Sequence, residues 1–300
     1  MNKFLVVSAL LALVSCSSDP ASPLNIASSS SVDELSSSSL LVASSSSVVD
    51  ELSSSSVVVA SSSSVVASSS SVVEELSSSS ELAPIYGRMI DARDNKSYVT
   101  ATIGTQTWMA DNLNIGTMVP GKLATDHQSN DAIIEKYCYD DIEDNCTIAG
   151  GLYQWAEAMG LHNKCDSTFC NYINTPTYQG ICPDGWHLPH ADEVNVLVEY
   201  LGSSIAGHAM KAINYVNEDW GYWATNKSGY SAFPSGWRSE YGGYYNWGQS
   251  HRVWEYDEYE FFEAQLRAYM YFLTDGLNEL RSNPMNNKRD GLSIRCVKNK

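Results

Sequence analysis

Residues 182–202 read CPDGWHLPHADEVNVLVEYLG, and this stretch carries the strongest secondary-structure signal in the chain. Four apolar side chains recur at the i, i+3, i+4, i+7 spacing of one helix face: Val194, Leu197, Val198 and Leu201. Gly202 follows directly and supplies a stop at the carboxyl end. The pattern predicts a helix over Ala191–Leu201, preceded by turn residues and a cysteine.

Two histidines stand immediately before this helix. His187 and His190 flank Leu188-Pro189, and the acids Asp192 and Glu193 follow. The group could be a metal ligand set or an acid–base pair. We favour a structural interpretation, in which His187 is a buried turn residue and His190 occupies the helix N-cap position that Ser or Asp would normally fill.

The remaining periodic segments are short and of mixed type. Alternation of apolar and polar residues predicts strands over Ser97–Ile103, 107–109, 264–272 and 292–297. Helices are expected over 152–159 and 206–213, and long loops rich in Gly, Asn and Tyr over 220–260. Short strands, two or three short helices and long loops indicate an α+β fold in which the loops carry the function.

Six cysteines follow residue 83: Cys138, Cys146, Cys165, Cys170, Cys182 and Cys296. An even number in an exported protein indicates three disulfides, for which fifteen pairings exist. We expect Cys138–Cys146 and Cys165–Cys170 to close short polar loops, and Cys182–Cys296 to tie the middle of the domain to its last strand. The alternative is a zinc site formed by Cys165 and Cys170 with His162 or His187.

The amino-terminal residues resemble a secretion signal. One lysine precedes an apolar run from Phe4 to Val14 that is far too short, at about 16 Å of helix, to cross a membrane. The last four residues of 1–16, LVSC, resemble a bacterial lipobox, so we expect Cys16 to be lipidated; an ordinary signal peptide is the alternative. Ser17 then favours the outer membrane, and several acyl chains on Cys16 would form a firm anchor.

Residues 17–83 have the composition of a tether. Serine makes up 28 of the 53 residues from 28 to 80, in seven tetraserine blocks. The fillers between the blocks carry too little apolar volume to offset the entropy of ordering, so we expect a disordered linker rather than a repeat fold. Residues 84–300 remain as one domain of ordinary size.

The net charge of −17 excludes one class of partner. Residues 17–83 contribute eight acids and no base, a charge of −8, residues 84–300 contribute 27 acids and 17 bases, a charge of −10, and Lys3 adds +1. Nucleic acid is therefore not an expected partner, because affinity for it depends on neutralising phosphates.

Six segments of the domain resemble one known family. They are GTQTWMADNL (104–113), YCY (137–139), GLYQWAEAM (151–159), CPDGWHLP (182–189), FPSGWR (233–238) and SIRCV (293–297). In this order they resemble the Fibrobacter succinogenes major paralogous domain over roughly residues 87–298. That family is similar to the C-type-lectin-like superfamily of sugar binders, protein binders and formylglycine-generating sulfatase-modifying enzymes. The resemblance implies a C-type-lectin-like fold, and WEYDE (254–258) departs from the WSST-like run usual there.

Neither metal binding nor catalysis has a clear sequence signature. The paired carboxylate and amide motifs that calcium-dependent lectins use are missing, although the acids Glu255, Asp257, Glu258 and Glu260 could supply calcium with oxygens. No cofactor is expected. Every domain cysteine has a plausible disulfide partner, so the enzymatic branch of the superfamily is the less favoured alternative. Glycosidase carboxylates stay open because sequence does not give their separation.

Aromatic residues mark a candidate ligand site. Residues 220–259 hold thirteen aromatics in forty, which suits stacking on sugar rings but also suits a local core. We expect four tryptophans in family motifs to be core: Trp108, Trp155, Trp186 and Trp237. We expect the ligand-binding residues to be exposed around Gly242-Gly243, interleaved with Asn246, Gln249 and Arg252: Tyr241, Tyr244, Tyr245, Trp247 and Trp254.

These observations lead to one functional expectation. The chain is expected to be an exported, lipid-anchored outer-membrane or cell-surface protein that displays a non-catalytic binding or adhesion domain. Its partner would be polysaccharide, bound through the aromatic loop. The alternative is a scaffold that contacts other surface proteins.

Overall fold

The computed structural model describes residues 83–170, 175, 177–213, 218–261, 265–282 and 286–300. The predicted signal segment 1–16, with Cys16, and nearly all of the predicted linker 17–83 lie outside the described residues. Their assignment therefore stays a prediction.

The domain is built from short strands and five short helices in its described part. The strands are β1 (Ile85–Ile90), β2 (Ser97–Ile103), β3 (Gln106–Met109), β4 (Thr117–Met118), β5 (Glu135–Lys136), β6 (Trp186–His187), β7 (Ser235–Arg238), β8 (Tyr244–Trp247), β9 (Ser250–Phe261), β10 (Gln265–Thr274), β11 (Arg281–Ser282), β12 (Asn286–Asn287) and β13 (Val297–Lys298). The helices are α1 (Glu143–Ala149), α2 (Trp155–Ala158), α3 (Ala191–Leu201), α4 (Ala206–Met210) and α5 (Glu218–Gly221). The mixed α+β class predicted from the sequence is confirmed.

The strands form two main sheets. The first has the order β1-β2-β3-β13-β6, and the second has the order β11-β10-β9-β7-β8, with β12 also paired to β10. β7 runs antiparallel to β8 and parallel to β9, and it therefore lies between these two strands in the second sheet. A separate parallel pair joins β4 to β5.

The long strands β9 and β10 separate two buried clusters of apolar side chains. Trp254 and Met270 belong to the cluster that contains Trp155 and the Cys182–Cys296 disulfide. Val253 and Tyr271 belong to the cluster around Trp108 and Tyr230. Since neighbouring residues of a strand point to opposite faces, these two strands are covered on both sides over this part. They form a rigid base for the rest of the sheet.

The helix predicted from the opening stretch is confirmed at both ends as α3. The His190 side chain accepts a hydrogen bond from the Asp192 backbone N–H, and the Glu193 carboxylate accepts one from the His190 N–H. This reciprocal pair is a capping box in which histidine takes the position usual for serine or threonine. The other two predicted helices are shorter than expected, since α2 begins at Trp155 and α4 ends at Met210.

The loops predicted over 220–260 are wrong for much of that range. β7, β8 and β9 occupy it, and β9 alone runs for twelve residues. Gly242 and Gly243 have positive φ and form the turn between β7 and β8, so their presence marks a hairpin rather than an irregular loop. The strand predicted over 292–297 is reduced to isolated bridges at Leu292 and Ser293 before β13.

The three predicted disulfides are confirmed. Cys138 is joined to Cys146, Cys165 to Cys170 and Cys182 to Cys296, across sequence separations of 8, 5 and 114 residues. The zinc alternative at Cys165 and Cys170 is therefore wrong, because a disulfide sulfur is no longer a thiolate ligand. Among the residues that the structure describes, no helix is long and apolar enough to cross a membrane.

Candidate functional site

The five sequence-predicted ligand residues lie in or beside the β7–β8 hairpin, but they divide into buried and exposed positions. Tyr241 is 77% exposed in the turn, and Tyr245 is 49% exposed on β8. Tyr244 and Trp247 are half-buried. The exposed part of the predicted site is thus formed by Tyr241 and Tyr245.

The prediction that Trp254 is an exposed ligand-binding residue does not agree with its position in the structure. Its side chain is fully buried, and its indole N–H donates to the Tyr153 carbonyl at 2.7 Å. Trp254 lies on β9 opposite Met270, on the face that packs against the first apolar cluster. It is a core residue and does not reach a ligand.

Tyr244 and Trp247 anchor the hairpin to the disulfide-closed segment at Tyr139. The Tyr139 ring lies 5.2 Å from Tyr244 and 4.8 Å from Trp247, between centroids. The Tyr244 hydroxyl donates to the Asp141 carboxylate at 2.6 Å. Burial, together with this carboxylate, raises the pKa of Tyr244 above its ordinary value. The two residues therefore position the hairpin rather than present themselves to solvent.

Four side chains from adjacent strands form a row on one face of the second sheet, here called the aromatic row: Tyr245 on β8, Trp237 on β7, Arg252 on β9 and Phe272 on β10. The Trp237 and Tyr245 ring centroids are 5.4 Å apart. The Arg252 guanidinium lies 4.4 Å from the Trp237 ring centroid. Because β7 lies between β8 and β9, Trp237 is flanked on both sides, and the aromatic face left for a ligand is that of Tyr245.

The sequence predicted Trp237 in the core, and the structure places it half-buried in this row, packed against the first apolar cluster. Its neighbour Arg238 is fully buried. The Arg238 guanidinium donates to the carbonyls of Gly121, Leu123 and Asp126, and it lies 4.6 Å from the Tyr137 ring centroid. The sequence does indicate that Trp237 and Arg238 have different surroundings, because neighbouring residues of a strand point to opposite faces.

Two consecutive side-chain hydrogen bonds connect the aromatic row to exposed amide groups. The Trp237 indole N–H donates to the Asn246 side-chain oxygen at 3.1 Å, and the Asn246 amide donates to Gln249 at 3.1 Å. Asn246 has a φ of 60°, in the left-handed region that asparagine tolerates. Asn246 and Gln249 are exposed, so their amide groups can bind hydroxyls beside the aromatic surface.

The charge of Arg252 has few local partners. Burial lowers the pKa of Arg252, and the Asp290 carboxylate acts in the opposite direction. Asp290 accepts hydrogen bonds from the Glu240 N–H at 2.8 Å and from the Asn286 amide at 3.1 Å. Burial raises the pKa of Asp290 to about 6. Its oxygens are thus used within the protein.

A second candidate site is a cavity of about 860 Å³ beside the start of α3, lined by His187, His190, Glu193 and Asp257 among others. His187 nitrogens lie 3.0 Å from the Glu193 carboxylate and 2.6 Å from the Asn299 side chain. Burial acts to lower the pKa of His187, but the bond and charge of Glu193 outweigh it, and the net shift is upward. His190 lies 3.2 Å from Asp257. His190 and Glu193 also form the cap of α3, and His187 is buried, so both histidines have the structural roles predicted from the sequence.

Two of the four acids considered for calcium, Asp257 and Glu258, have protein partners. Glu258 and Lys288 form a buried ion pair, and Asp257 contacts His190 and the Ala191 N–H. The side chain of Glu260 lies outside the described residues. In the described part of the chain, no group of three or more His, Cys, Asp or Glu side chains is arranged to hold a metal ion.

The fold and this site define a disulfide-bonded α+β domain with an exposed aromatic hairpin. The family model described as the Fibrobacter succinogenes major domain matches residues 101–298. The chain therefore belongs to that family, and the resemblance read from its motifs is confirmed. Neither the curated proteins nor the solved structures include a match.

Proposed function

We propose that this protein is a surface-displayed, non-catalytic binding domain that recognises polysaccharide through the β7–β8 hairpin. The observation that carries the proposal is the exposure of Tyr241 and Tyr245 on a hairpin whose other aromatics are anchored. Flat aromatic rings bind the C–H faces of sugars, and neighbouring amides bind their hydroxyls. Tyr245 and Asn246 supply both kinds of group side by side.

Preorganisation supports this assignment. Tyr244 and Trp247 pack on Tyr139, and β7 is paired on both sides. A tyrosine held on a rigid strand loses little conformational freedom when a ligand binds, so more of the interaction energy appears as affinity. This favours direct recognition by the hairpin.

The same proposal includes a C-type-lectin-like fold for the domain. The order of the family motifs, the small number of helices and the three disulfides support it. The absence of catalysis is also part of the proposal, and it is supported by the use of His187 and His190 as structural groups around α3. The enzymatic alternative within the superfamily lacks such support.

We expect the double change Tyr241→Ala/Tyr245→Ala to reduce retention on an insoluble polysaccharide at least about tenfold, because it removes both exposed rings. The free energy of unfolding should fall by no more than about 1 kcal/mol, since Tyr241 is exposed and Tyr245 loses only its cross-strand contact with Trp237. The measurement is a pull-down of the full chain in detergent over a panel of insoluble polysaccharides, paired with urea unfolding.

Tyr222→Ala is the matched control for that experiment, because Tyr222 is 74% exposed but lies outside the hairpin. It should be retained like wild type. Equal loss in the control would point to non-specific adsorption. If the wild-type protein is retained on no polysaccharide, the proposal is wrong, and this result would favour the alternative of a scaffold that contacts other surface proteins.

The remaining part of the proposal concerns placement. A lipid on Cys16 and the serine-rich residues 17–83 would hold the domain away from an outer membrane. We expect Cys16→Ala to abolish incorporation of labelled fatty acid and to move the protein from the membrane fraction to the soluble exported fraction, because the predicted acyl chains are attached to that cysteine. A Ser17→Ala variant is the control. Acylated, membrane-bound Cys16→Ala protein would contradict this placement.

A further inference from the structure

Arg252 is a cation with unused hydrogen-bonding capacity in the aromatic row. Its guanidinium makes no side-chain hydrogen bond to any residue within the described ranges, and its buried Nε has no partner there. The two terminal nitrogens also have no hydrogen-bond partner within the described ranges, and they are not fully buried. A half-buried guanidinium without hydrogen bonds is uncommon, because such donors are costly to desolvate.

The position of this group limits what could satisfy it. Arg252 lies against Trp237, and Trp237 lies against Tyr245, so the cation and the free tyrosine ring are separated by two strand spacings, roughly 10 Å. A ligand that contacts both must therefore extend along the row. A planar guanidinium pairs best with a carboxylate, which accepts two parallel N–H bonds.

We propose that the aromatic row binds a polysaccharide carrying carboxylate sugars, with the carboxylate paired to Arg252 and a neighbouring sugar against Tyr245. This inference rests on the polysaccharide-binding function proposed above and adds the chemical class of the ligand. In such a polymer the acid can lie on one sugar and the apolar C–H face on a neighbouring sugar. The separation of these two groups along the polymer then corresponds to the separation of the Arg252 guanidinium and the Tyr245 ring along the aromatic row.

The surrounding charge narrows the class further. Residues 84–300 carry a net charge of −10, and Asp290 lies near Arg252. A polymer with an acid on every sugar would be repelled by this field, whereas an isolated acid on a neutral backbone could pair with Arg252 and would meet less of that repulsion. The ligand is therefore a mainly neutral chain with scattered carboxylate sugars, of the kind represented by glucuronoxylan.

The test compares glucuronoxylan with the same polymer after reduction of its carboxyl groups, using the full chain in detergent and isothermal titration. Wild type should bind the native polymer about tenfold to a hundredfold more tightly than the reduced one. Arg252→Gln should lose that difference, and Arg252→Lys should keep part of it, because lysine retains the charge without the planar fork.

Arg281→Gln is the matched control, because Arg281 is exposed on the same sheet and pairs with Glu279. It should bind like wild type. Equal affinity of wild type for both polymers would overturn the carboxylate inference and leave polysaccharide binding intact. Absence of binding to both, together with failure on neutral polymers, would overturn the proposed function as well. Should Arg252→Gln fail to fold, the wild-type comparison of the two polymers decides alone.

Discussion

Replacing Cys182 and Cys296 together with alanine is expected to lower the free energy of unfolding by about 4–5 kcal/mol. The bond closes a loop of 114 residues, and removing it releases the closure entropy of that long loop in the unfolded chain. Both sulfurs are buried in the first apolar cluster, so their loss also removes packing. Urea unfolding of the full chain, followed by tryptophan fluorescence, measures the change.

The pair Cys138→Ala/Cys146→Ala is the control for this prediction. It opens a loop of only 8 residues, for which the same chain-entropy relation gives about 2.5 kcal/mol. The long-range pair should therefore be clearly the more damaging. Equal losses in the two variants would show that loop length does not govern the stability of this domain.

Lys288→Met is expected to destabilise the domain by about 3–5 kcal/mol, because it leaves the buried Glu258 carboxylate without its cation. The Lys288 and Glu258 side chains are 0% and 2% exposed. Lys288 also donates to the Thr168 carbonyl at 2.7 Å, and it lies 4.7 Å from the Trp155 ring centroid. Burial lowers the pKa of Lys288, and the hydrogen bond to Glu258 opposes that shift.

The double variant Lys288→Met/Glu258→Leu separates the two causes of this loss. With both charges gone, no unpaired carboxylate stays buried, so much of the stability should return. The Cys170 N–H, which donates to Glu258 at 2.9 Å, still loses its acceptor. A single Lys288→Met variant that unfolds within about 1 kcal/mol of wild type would contradict the assignment of this pair as a structural requirement.

Local signals predicted some features of the molecule well. The spacing of Val194, Leu197 and Leu201 fixed α3 at both ends because a helix face is decided by near neighbours in sequence. The Cys182–Cys296 pairing could also be reasoned from the positions of the cysteines. The helix depends on residues that are near one another in sequence, and the disulfides depend on how an even number of cysteines can be paired.

The candidate site was harder to predict because it depends on how far the core extends across one face of a sheet. Trp254 and Trp237 both pack against the first apolar cluster, yet Trp254 is fully buried and Trp237, in the aromatic row, is half-buried. The pairing of β9 with both β7 and β10 decides this, and those contacts are long-range. Glycines at the turn looked like loop residues for the same reason.

The β7–β8 hairpin contains residues that hold the fold and, between them in sequence, residues that face outward. Tyr244 and Trp247 secure the strand from one side, whereas Tyr241, Tyr245 and Asn246 touch little of the core. A substitution at Tyr241, Tyr245 or Asn246 therefore changes the outer surface of the hairpin while the contacts that attach it to Tyr139 stay in place.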